Sequence, residues 1–367
     1  MLFWTSFALA IYAVFGYALW LWVQKRMCRR PVARGAIAPT VSIVIAVHNE
    51  EGNLLAKLQN LRLLHYPVDR LQIVIASDGS TDRSVEILRA QDEALVPVIL
   101  EEPRGKAAAL NEAVRHATGE ILFFQDARQK VDPDALEELV SCFADPDVGA
   151  VSGELLLETA DGKPSPEGLG FYWTMEKAVR KLESATGSVV GATGAIYAIR
   201  RELYTEMPKG TILDDVYVPM HVARRGKRVV FQPSAIARDR IFSQTGKEFN
   251  RKVRTLTGNY QLLRLAPWML SSANPLLFRL VSHKLLRLVL PVLLVVMLAA
   301  SAACPGPIYG GIFWAQVAFY GLAALGMASP EMRRFRPTSV ANAFVMMNLA
   351  AVVAFYNFVR GKTEVWV

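Results

Sequence analysis

Long apolar stretches occur at both ends of the chain, and shorter apolar runs alternate with polar segments between them. Residues 2–23 carry no charge and are long enough to cross a bilayer as a helix. Three more stretches of this kind lie near 285–303, 308–328 and 340–359, whereas residues 40–245 have the pattern of a soluble domain. The pattern therefore predicts a soluble domain inserted between one N-terminal and about three C-terminal transmembrane helices.

The predicted organisation has five parts along the chain. They are an N-terminal transmembrane helix (1–24), a basic linker (25–39), a cytoplasmic domain (40–245), an interfacial amphipathic segment (246–283) and a C-terminal membrane region (284–367). We expect the first helix to be a retained anchor, because no basic region precedes it and no small-residue cleavage site follows it. Basic residues such as Lys25 and Arg26 follow it, and such flanks stay on the cytoplasmic side. The expected location is a bacterial-type inner membrane, crossed several times, with the large domain in the cytoplasm.

Within the central domain, continuous apolar runs alternate with helical patterns. The runs cover 41–47, 71–77, 96–100, 120–125 and 148–152, and the helical patterns cover 50–64, 82–91, 106–117 and 133–143. Runs of this type are typical of strands that are buried on both faces. The alternation predicts a doubly wound α/β sheet. Ligands of such sheets bind beyond the carboxyl ends of the strands, so the residues after each strand are the candidates.

Charged residues follow four of these predicted strands. Glu50 comes after the first, Asp78 after the second, Lys106 after the third and Asp126 after the fourth. A lysine at a helix start opposes the helix dipole, and a bound anion would resolve that conflict. The chain has neither a GxGxxG nor a GxxxxGK[ST] motif, so neither a Rossmann dinucleotide site nor a P-loop is supported.

The composition supports association with a membrane and argues against a zinc-binding or disulfide-rich protein. The chain is 52% hydrophobic, which is high for a soluble enzyme of 367 residues. Its three cysteines are far apart, so they indicate neither a zinc site nor a disulfide framework. The net charge is +8, which suits an anionic membrane surface, although positive flanks of the membrane helices explain at least half of it.

Several segments together resemble the family 2 glycosyltransferases. They are VSIVIAVHNEEGNL (41–54), VIASDGSTDRS (74–84), GKAAALNEAV (105–114), FFQDA (123–127), GATGAIYAIRRELY (191–204), TILDDVYVPMHVARRGKRVVFQP (211–233) and FNRKVRTLTGNYQLL (249–263). The last two are similar to the TED…RRGYRVVY block and to the QxxRW position of the membrane-embedded polysaccharide synthases, which make cellulose, hyaluronan or poly-N-acetylglucosamine. The resemblance covers about residues 40–265 and implies the GT-A nucleotide-sugar fold.

The resemblance also implies site residues. Glu50 and Asp78 would bind the nucleoside, and Lys106 would lie near the donor phosphates or base. Asp215 takes the place of the Asp in TED and would be the catalytic base. Asp214 precedes it and is included among the substrate-binding residues, and adjacent carboxylates raise each other's pKa. Simpler interpretations stay open: a turn-forming Asp78, a solvated Lys106, and one aspartate of the pair as a helix N-cap.

The basic segment near residue 250 departs from the family pattern. Arg254 matches the Arg of QxxRW, which implies that its guanidinium stabilises the leaving diphosphate. Arg251 stands where the family has Gln and is included among the donor-binding residues, and Thr255 stands where the family has Trp. The acceptor and processivity are therefore not implied. The segment also has the character of a basic amphipathic helix on a membrane surface, and both interpretations can hold.

The DxD motif of the family is altered as well. Asp126 matches its first Asp, which implies a divalent cation, Mg²⁺ or Mn²⁺, held between the protein and the diphosphate. Arg128 replaces the second Asp. Three interpretations stay open: Asp126 alone carries the metal, Arg128 binds a phosphate directly, or Arg128 pairs with Asp132 or Asp134.

These features together imply an inverting glycosyltransferase that uses a nucleotide sugar, UDP being the commonest nucleotide in the family. The implied partners are the donor, a growing polysaccharide or lipid-linked acceptor, membrane lipids and proteins of an export complex, with no nucleic acid. Two alternatives remain. One is a polyprenyl-phosphate glycosyltransferase, and the other is a catalytically inactive homologue that serves as a scaffold in polysaccharide export.

Overall fold

The computed structural model describes residues 1–91, 94–159, 163, 171–240, 245–329 and 331–362. The chain forms two compact units. We call the unit made mainly of Leu21–Ser243 and Leu262–Leu277 the sheet unit. We call the unit made of Met1–Trp20, Gln244–Gln261 and Phe278–Thr363 the helical unit.

In the part of the chain that the structure describes, eight strands form one sheet in the order β3-β2-β1-β4-β7-β6-β8-β5. The strands are β1 (Val41–Val47), β2 (Leu71–Asp78), β3 (Leu95–Leu100), β4 (Ile121–Asp126), β5 (Lys130–Val131), β6 (Val148–Glu158), β7 (Ile196–Arg200) and β8 (Arg228–Arg240). The strands from β3 to β4 run parallel, as the buried apolar runs predict. Strand β7 is antiparallel to both β4 and β6, so the sheet is mixed in its second half.

The α-helices of the described residues are α1 (Leu2–Ile11), α2 (Tyr17–Met27), α3 (Glu51–Leu61), α4 (Ser84–Arg89), α5 (Lys106–Arg115), α6 (Ala135–Ser141), α7 (Phe171–Thr186), α8 (Asp214–Arg224), α9 (Thr245–Leu265), α10 (Leu277–Leu280), α11 (Leu286–Ala303), α12 (Pro307–Ala328) and α13 (Arg336–Val359). The α/β fold predicted for the central domain is confirmed. The predicted first strand has the bounds of β1, while β6 continues six residues beyond the predicted end at 152, to Glu158.

The core of the sheet unit lies on both faces of the sheet, as continuous apolar strands require. All seven residues of β1 are buried, and Leu54 and Leu58 of α3 pack onto the same cluster as Phe123 of β4. Behind the carboxyl end of β4, the rings of Phe124 and Tyr197 stack with centroids 4.7 Å apart. This packing holds the strand ends that carry the charged residues in a fixed arrangement.

Four helical stretches are long and apolar enough to cross a membrane, judged on the described residues by length and composition. They are Leu2–Met27, Leu277–Ala303, Pro307–Ala328 and Arg336–Val359. The first two contain π-helical turns at Tyr12–Gly16 and Val281–Leu285, where the Tyr12 hydroxyl lies 2.9 Å from the Ser282 hydroxyl. The boundaries proposed for the membrane and interfacial segments stay predictions.

Candidate active site

Asp78 ends β2 and joins two loops of the sheet edge. Its side chain is fully buried, and its carboxylate accepts hydrogen bonds from the backbone amides of Arg104 at 2.7 Å and Gly105 at 2.8 Å. The carboxylate therefore holds the loop that leads into α5, which is a different role from shaping its own turn. Nucleoside binding by Asp78 stays a prediction.

Gly79 follows Asp78 at a point where two backbone segments nearly touch. Its φ is +58°, and a Cβ at this position would lie 2.4 Å from the backbone nitrogen of Pro103. Only glycine allows this close approach without strain. The Asp-Gly pair in the sequence is therefore explained by the contact between the two loops.

Lys106 is the first residue of α5, and it lies between two carboxylates. Its Nζ is 2.8 Å from Asp126 Oδ1 and 3.3 Å from Asp214 Oδ1. Burial alone would lower the pKa of Lys106, but the carboxylates, Asp126 foremost, raise it above its ordinary value, so the amine is an ammonium ion. Its side chain is only 21% exposed, so the solvated interpretation is wrong. The conflict with the helix dipole is resolved by carboxylates of the protein itself.

Asp214 and Asp215 are the first two residues of α8, a position where negative charge is favourable. The N-cap is Leu213, and no side chain caps the helix, so the interpretation of either aspartate as the N-cap is wrong. Asp214 is buried, and its Oδ2 has no hydrogen-bond partner among the residues that the structure describes. Asp215 is partly exposed, and its Oδ2 accepts a hydrogen bond from the Gly194 amide at 3.0 Å.

Glu50 lies beyond the carboxyl end of β1, directly before α3. Its Oε2 accepts a hydrogen bond from the Asn53 side chain at 2.6 Å, and its amide donates to the Ser84 hydroxyl at 2.9 Å. Its neighbour Asn49, which sequence reasoning missed, has a φ of +54° and accepts a hydrogen bond from the Thr81 amide at 2.8 Å. These contacts tie the loop after β1 to the loop after β2.

Arg128 pairs with a distant aspartate. Its Nη2 is 2.7 Å from Asp239 Oδ2, and its side chain remains 54% exposed. The predicted pairing with Asp132 or Asp134 is wrong, because Asp132 pairs with Arg238 and Asp134 pairs with the ring of His65. An exposed guanidinium beside the strand end of Asp126 still leaves open a direct contact with phosphate.

A divalent cation at this edge would find one well-placed carboxylate. In the described ranges no group of three or more His, Cys, Asp or Glu side chains is arranged to hold a metal ion. The Asp126 side chain is 35% exposed and offers one hard oxygen ligand. Magnesium and manganese sites of this kind use one or two carboxylates together with substrate phosphates and water. The residues therefore fit an ion shared with a diphosphate rather than one held by the protein alone.

Lys57 is a fully buried lysine near this site, and sequence reasoning missed it. Its Nζ donates to Gln125 Oε1 at 2.5 Å and to the Gln129 carbonyl at 2.8 Å, on either side of the segment that carries Asp126 and Arg128. Burial lowers the pKa of Lys57 to about 7, against a smaller opposite effect of Asp126. The available signal was its position on the buried face of α3, between Leu54 and Leu58.

Arg251 and Arg254 lie on α9 and belong to the helical unit. Within that unit, Val253 of α9 packs against Ala350 and Ala354 of α13. Their role towards the donor stays a prediction. The sheet unit thus brings together Lys106, Asp126 and Asp214, while Glu50 and Asp78 fix the adjoining loops.

Comparison with known proteins shows what the sequence and the fold of this chain are similar to. Residues 42–207 match the family model of glycosyl transferase family 2. Poly-β-1,6-N-acetyl-D-glucosamine synthase of Staphylococcus aureus is 25% identical over 234 residues, which are 61% of this chain and 55% of that protein. An N-acetylglucosaminyltransferase of Azorhizobium caulinodans is 25% identical over 246 residues, which are 63% of this chain and 62% of that one. The chain thus spans little more than half the length of these relatives.

A solved structure matches almost the whole chain. The mannosyltransferase PcManGT of Pyrobaculum calidifontis, in complex with GDP-Man and Mn²⁺, superposes with a TM-score of 0.73 and 25% sequence identity. The match covers 98% of this chain and 99% of that one. The chain therefore contains a family 2 glycosyltransferase domain of the GT-A fold, followed and preceded in sequence by helices that are long and apolar enough to span a membrane.

Proposed function

We propose that this protein is an inverting glycosyltransferase that moves a sugar from a nucleotide sugar, most simply a UDP-sugar, to a growing polysaccharide or glycolipid. The observation that carries the proposal is the arrangement of Asp215. Its carboxylate is held by the Gly194 amide, directly after Asp214, which shares Lys106 with Asp126. A candidate base thus stands next to a cation that suits a diphosphate.

The leaving diphosphate needs positive charge as the glycosidic bond to phosphate breaks. Lys106 supplies a permanent ammonium group at the start of α5, and Arg254 is assigned to the same task because a guanidinium binds phosphate oxygens bidentately. Mg²⁺ or Mn²⁺, held by Asp126 together with the diphosphate, would supply further charge neutralisation to the leaving group. The bound Mn²⁺ of the mannosyltransferase supports this assignment.

Asp215 is assigned the role of general base. The acceptor hydroxyl gives its proton to the Asp215 carboxylate while its oxygen forms a bond to the anomeric carbon. On the opposite side of that carbon, the bond to the phosphate oxygen breaks and the nucleoside diphosphate leaves. Attack and departure on opposite sides invert the configuration at the anomeric carbon.

The relatives support two donor chemistries. The curated relatives are named for N-acetylglucosamine, and the solved neighbour binds GDP-Man. We favour a UDP-sugar and a polymeric or lipid-linked acceptor, presented at the cytoplasmic face of an inner membrane. Four candidate spans within the described residues suit an acceptor that is tethered to the membrane, and a polymer product would leave through partner proteins of an export complex.

The test uses the full-length protein in native membranes with radiolabelled UDP-GlcNAc, UDP-glucose and GDP-mannose, followed by sizing of the product. Asp215→Asn and Arg254→Ala are each expected to abolish turnover. Donor binding, measured by calorimetry on the purified protein, is expected to survive in Asp215→Asn. Asp134→Asn is the matched control, because Asp134 is 71% exposed and pairs with His65.

Three outcomes contradict the proposal. Full activity of Asp215→Asn with a polyprenyl phosphate as acceptor would favour the polyprenyl-phosphate enzyme, since such an acceptor is already anionic and needs no strong base. Full activity of Arg254→Ala would remove Arg254 from the mechanism. A chain that binds none of the three donors would be an inactive scaffold.

A further inference from the structure

The loop of residues 191–194 donates two hydrogen bonds to Asp215. The Ala192 amide donates to the Asp215 carbonyl at 2.6 Å, and the Gly194 amide donates to Asp215 Oδ2 at 3.0 Å. Gly191 begins the loop with a φ of +89°, and a Cβ there would lie 2.9 Å from Val216. The loop therefore fixes both the backbone and the carboxylate of the aspartate.

Ser152 and Gly153 of β6 hold this loop to the sheet through Thr193. The Thr193 amide donates to Ser152 Oγ at 2.9 Å, and the Thr193 hydroxyl is 3.2 Å from the Gly153 carbonyl. Ser152 is fully buried in β6. The loop is thus attached to the sheet through Thr193, the residue immediately before Gly194.

Arg180 of α7 donates hydrogen bonds to the hydroxyl groups of both Ser152 and Thr193. Its Nη1 is 2.6 Å from Thr193 Oγ1, and its Nη2 is 2.6 Å from Ser152 Oγ. The guanidinium also lies over the ring of Phe231, 4.7 Å from the centroid. A planar guanidinium with two short hydrogen bonds and a stacked face has little freedom to move.

The charges that surround Arg180 come from three elements and are mostly negative. Burial lowers the pKa of Arg180, and four carboxylates oppose that effect: those of Glu176 and Glu183 on its own helix, Asp215 on α8 and Glu154 on β6. By reciprocity, the guanidinium favours the ionised form of Asp215. Lys177 neutralises one neighbour, because its Nζ is 2.6 Å from Glu154 Oε1.

We propose that Arg180 is a positioning residue for Asp215. It orders the loop of residues 191–194 through Ser152 and Thr193, so that the Gly194 amide meets the carboxylate, and its positive charge attracts that carboxylate. The inference rests on the proposed role of Asp215 as the base.

The test compares Arg180→Met, Arg180→Lys and Thr193→Val with the control Lys181→Met, at an exposed position of the same helix. Arg180→Met is expected to lower kcat on the order of 10- to 100-fold, as misplacement of a catalytic group does. The KM for the donor should stay within about twofold of wild type, because a displaced base leaves the donor site intact. The acid limb of the kcat–pH profile should move to higher pH, because the carboxylate loses a cation and an ordered amide.

Thr193→Val keeps the test decisive if Arg180→Met fails to fold. It removes the hydroxyl that receives Arg180 and should move kcat and the acid limb in the same direction, whereas Thr193→Ser, which retains the hydroxyl, should restore both. Wild-type kcat and pH profile in Arg180→Met or Thr193→Val would overturn the inference. A kcat loss without a shift of the acid limb would also overturn it, since it would reduce Arg180 to a structural role.

A parallel measurement on Asp215→Asn separates the two proposals. If that variant is inactive while Arg180→Met behaves as wild type, only the positioning role fails. If Asp215→Asn retains full turnover, the base itself is misassigned, and both proposals fail.

Discussion

The ammonium group of Lys106 lies 2.8 Å from the carboxylate of Asp126, which connects the start of α5 to the end of β4. Strands β2 and β1 lie between β3 and β4 in the sheet, so the contact reaches across the carboxyl edge. Asp214 and Asp215 also interact with the same ammonium group. One cation among three carboxylates leaves a net negative charge on this group of four side chains.

Removal of that cation should destabilise the domain. Lys106→Met leaves the Asp126 and Asp214 carboxylates without their counter-ion, and unsatisfied buried acceptors cost about 1–3 kcal/mol of unfolding free energy. Urea unfolding checks this, with Lys181→Met, at an exposed position of α7, as the control. Equal stability of the two variants would show that the ion pairs of Lys106 with Asp126 and Asp214 do not stabilise the domain.

Gly79→Ala should be strongly unfavourable. The new Cβ meets the backbone of Pro103, and overpacking of this kind costs roughly 1–3 kcal/mol. The left-handed φ adds about 1 kcal/mol for a residue with a Cβ. Gly52→Ala is the matched control, because Gly52 lies in α3 with nothing within 4 Å, and it should stabilise by about 0.5–1 kcal/mol. Urea unfolding midpoints compare the two, and a neutral Gly79→Ala would refute the close approach of the loops.

The buried Lys57 should give the stability an unusual pH dependence. Burial lowers its pKa in the folded state to about 7, from a value of 10.5 without burial. Between these two values the unfolded state binds more protons than the folded state, so this contribution to stability rises with pH. The difference in unfolding free energy between wild type and Lys57→Met should therefore change in favour of wild type between pH 7 and 9.5.

Urea unfolding at pH 6.5, 7.5, 8.5 and 9.5 measures that difference. Lys130→Met, at an exposed position of β5, is the control. A wild-type advantage over Lys57→Met that stays constant across the series would show that Lys57 is not held in the way its contacts with Gln125 and Gln129 indicate.

We expect turnover to depend on a divalent cation, and this dependence should change on substitution of Asp126 or Arg128. Chelation of divalent cations should lower turnover, and Asp126→Asn should lose the stimulation by Mn²⁺, because the ion then has no carboxylate ligand. Arg128→Asp should lower the Mn²⁺ concentration for half-maximal activity by adding a second carboxylate. Arg128→Gln is the control, since it removes only the ion pair with Asp239. Turnover that is indifferent to chelators would exclude Asp126 as a metal ligand.

The rule for strand ends led sequence reasoning to its candidate residues. Asp78, Lys106 and Asp126 each follow a buried apolar run, and parallel strands bring such positions to one edge. The partners were harder to foresee. Arg128 and Asp239 are 111 residues apart, and nearby Asp132 and Asp134 offered a more local pairing that the fold does not use.

The contacts of Lys57 and Arg180 could not be predicted from the pattern of apolar and polar residues. Lys57 occupies a position on the buried face of α3 where the helical pattern predicts an apolar residue. Nothing near it in the sequence indicates that Gln125 and Gln129 are its partners. Arg180 can bond to both Ser152 and Thr193 only because the pairing of β6 with β7 brings these two residues close together. The membrane-type helices, in contrast, follow from hydropathy and length alone.

The long separation between Arg128 and Asp239 also bears on the synthesis of the protein. Contacts between residues so far apart form only after the intervening chain has been made. While the ribosome is still translating β6 or β7, neither Asp214 nor Asp239 has been added, so the ion pair of Lys106 with Asp214 and that of Arg128 with Asp239 cannot form. A nascent chain therefore lacks these two ion pairs until α8 and β8 have been made.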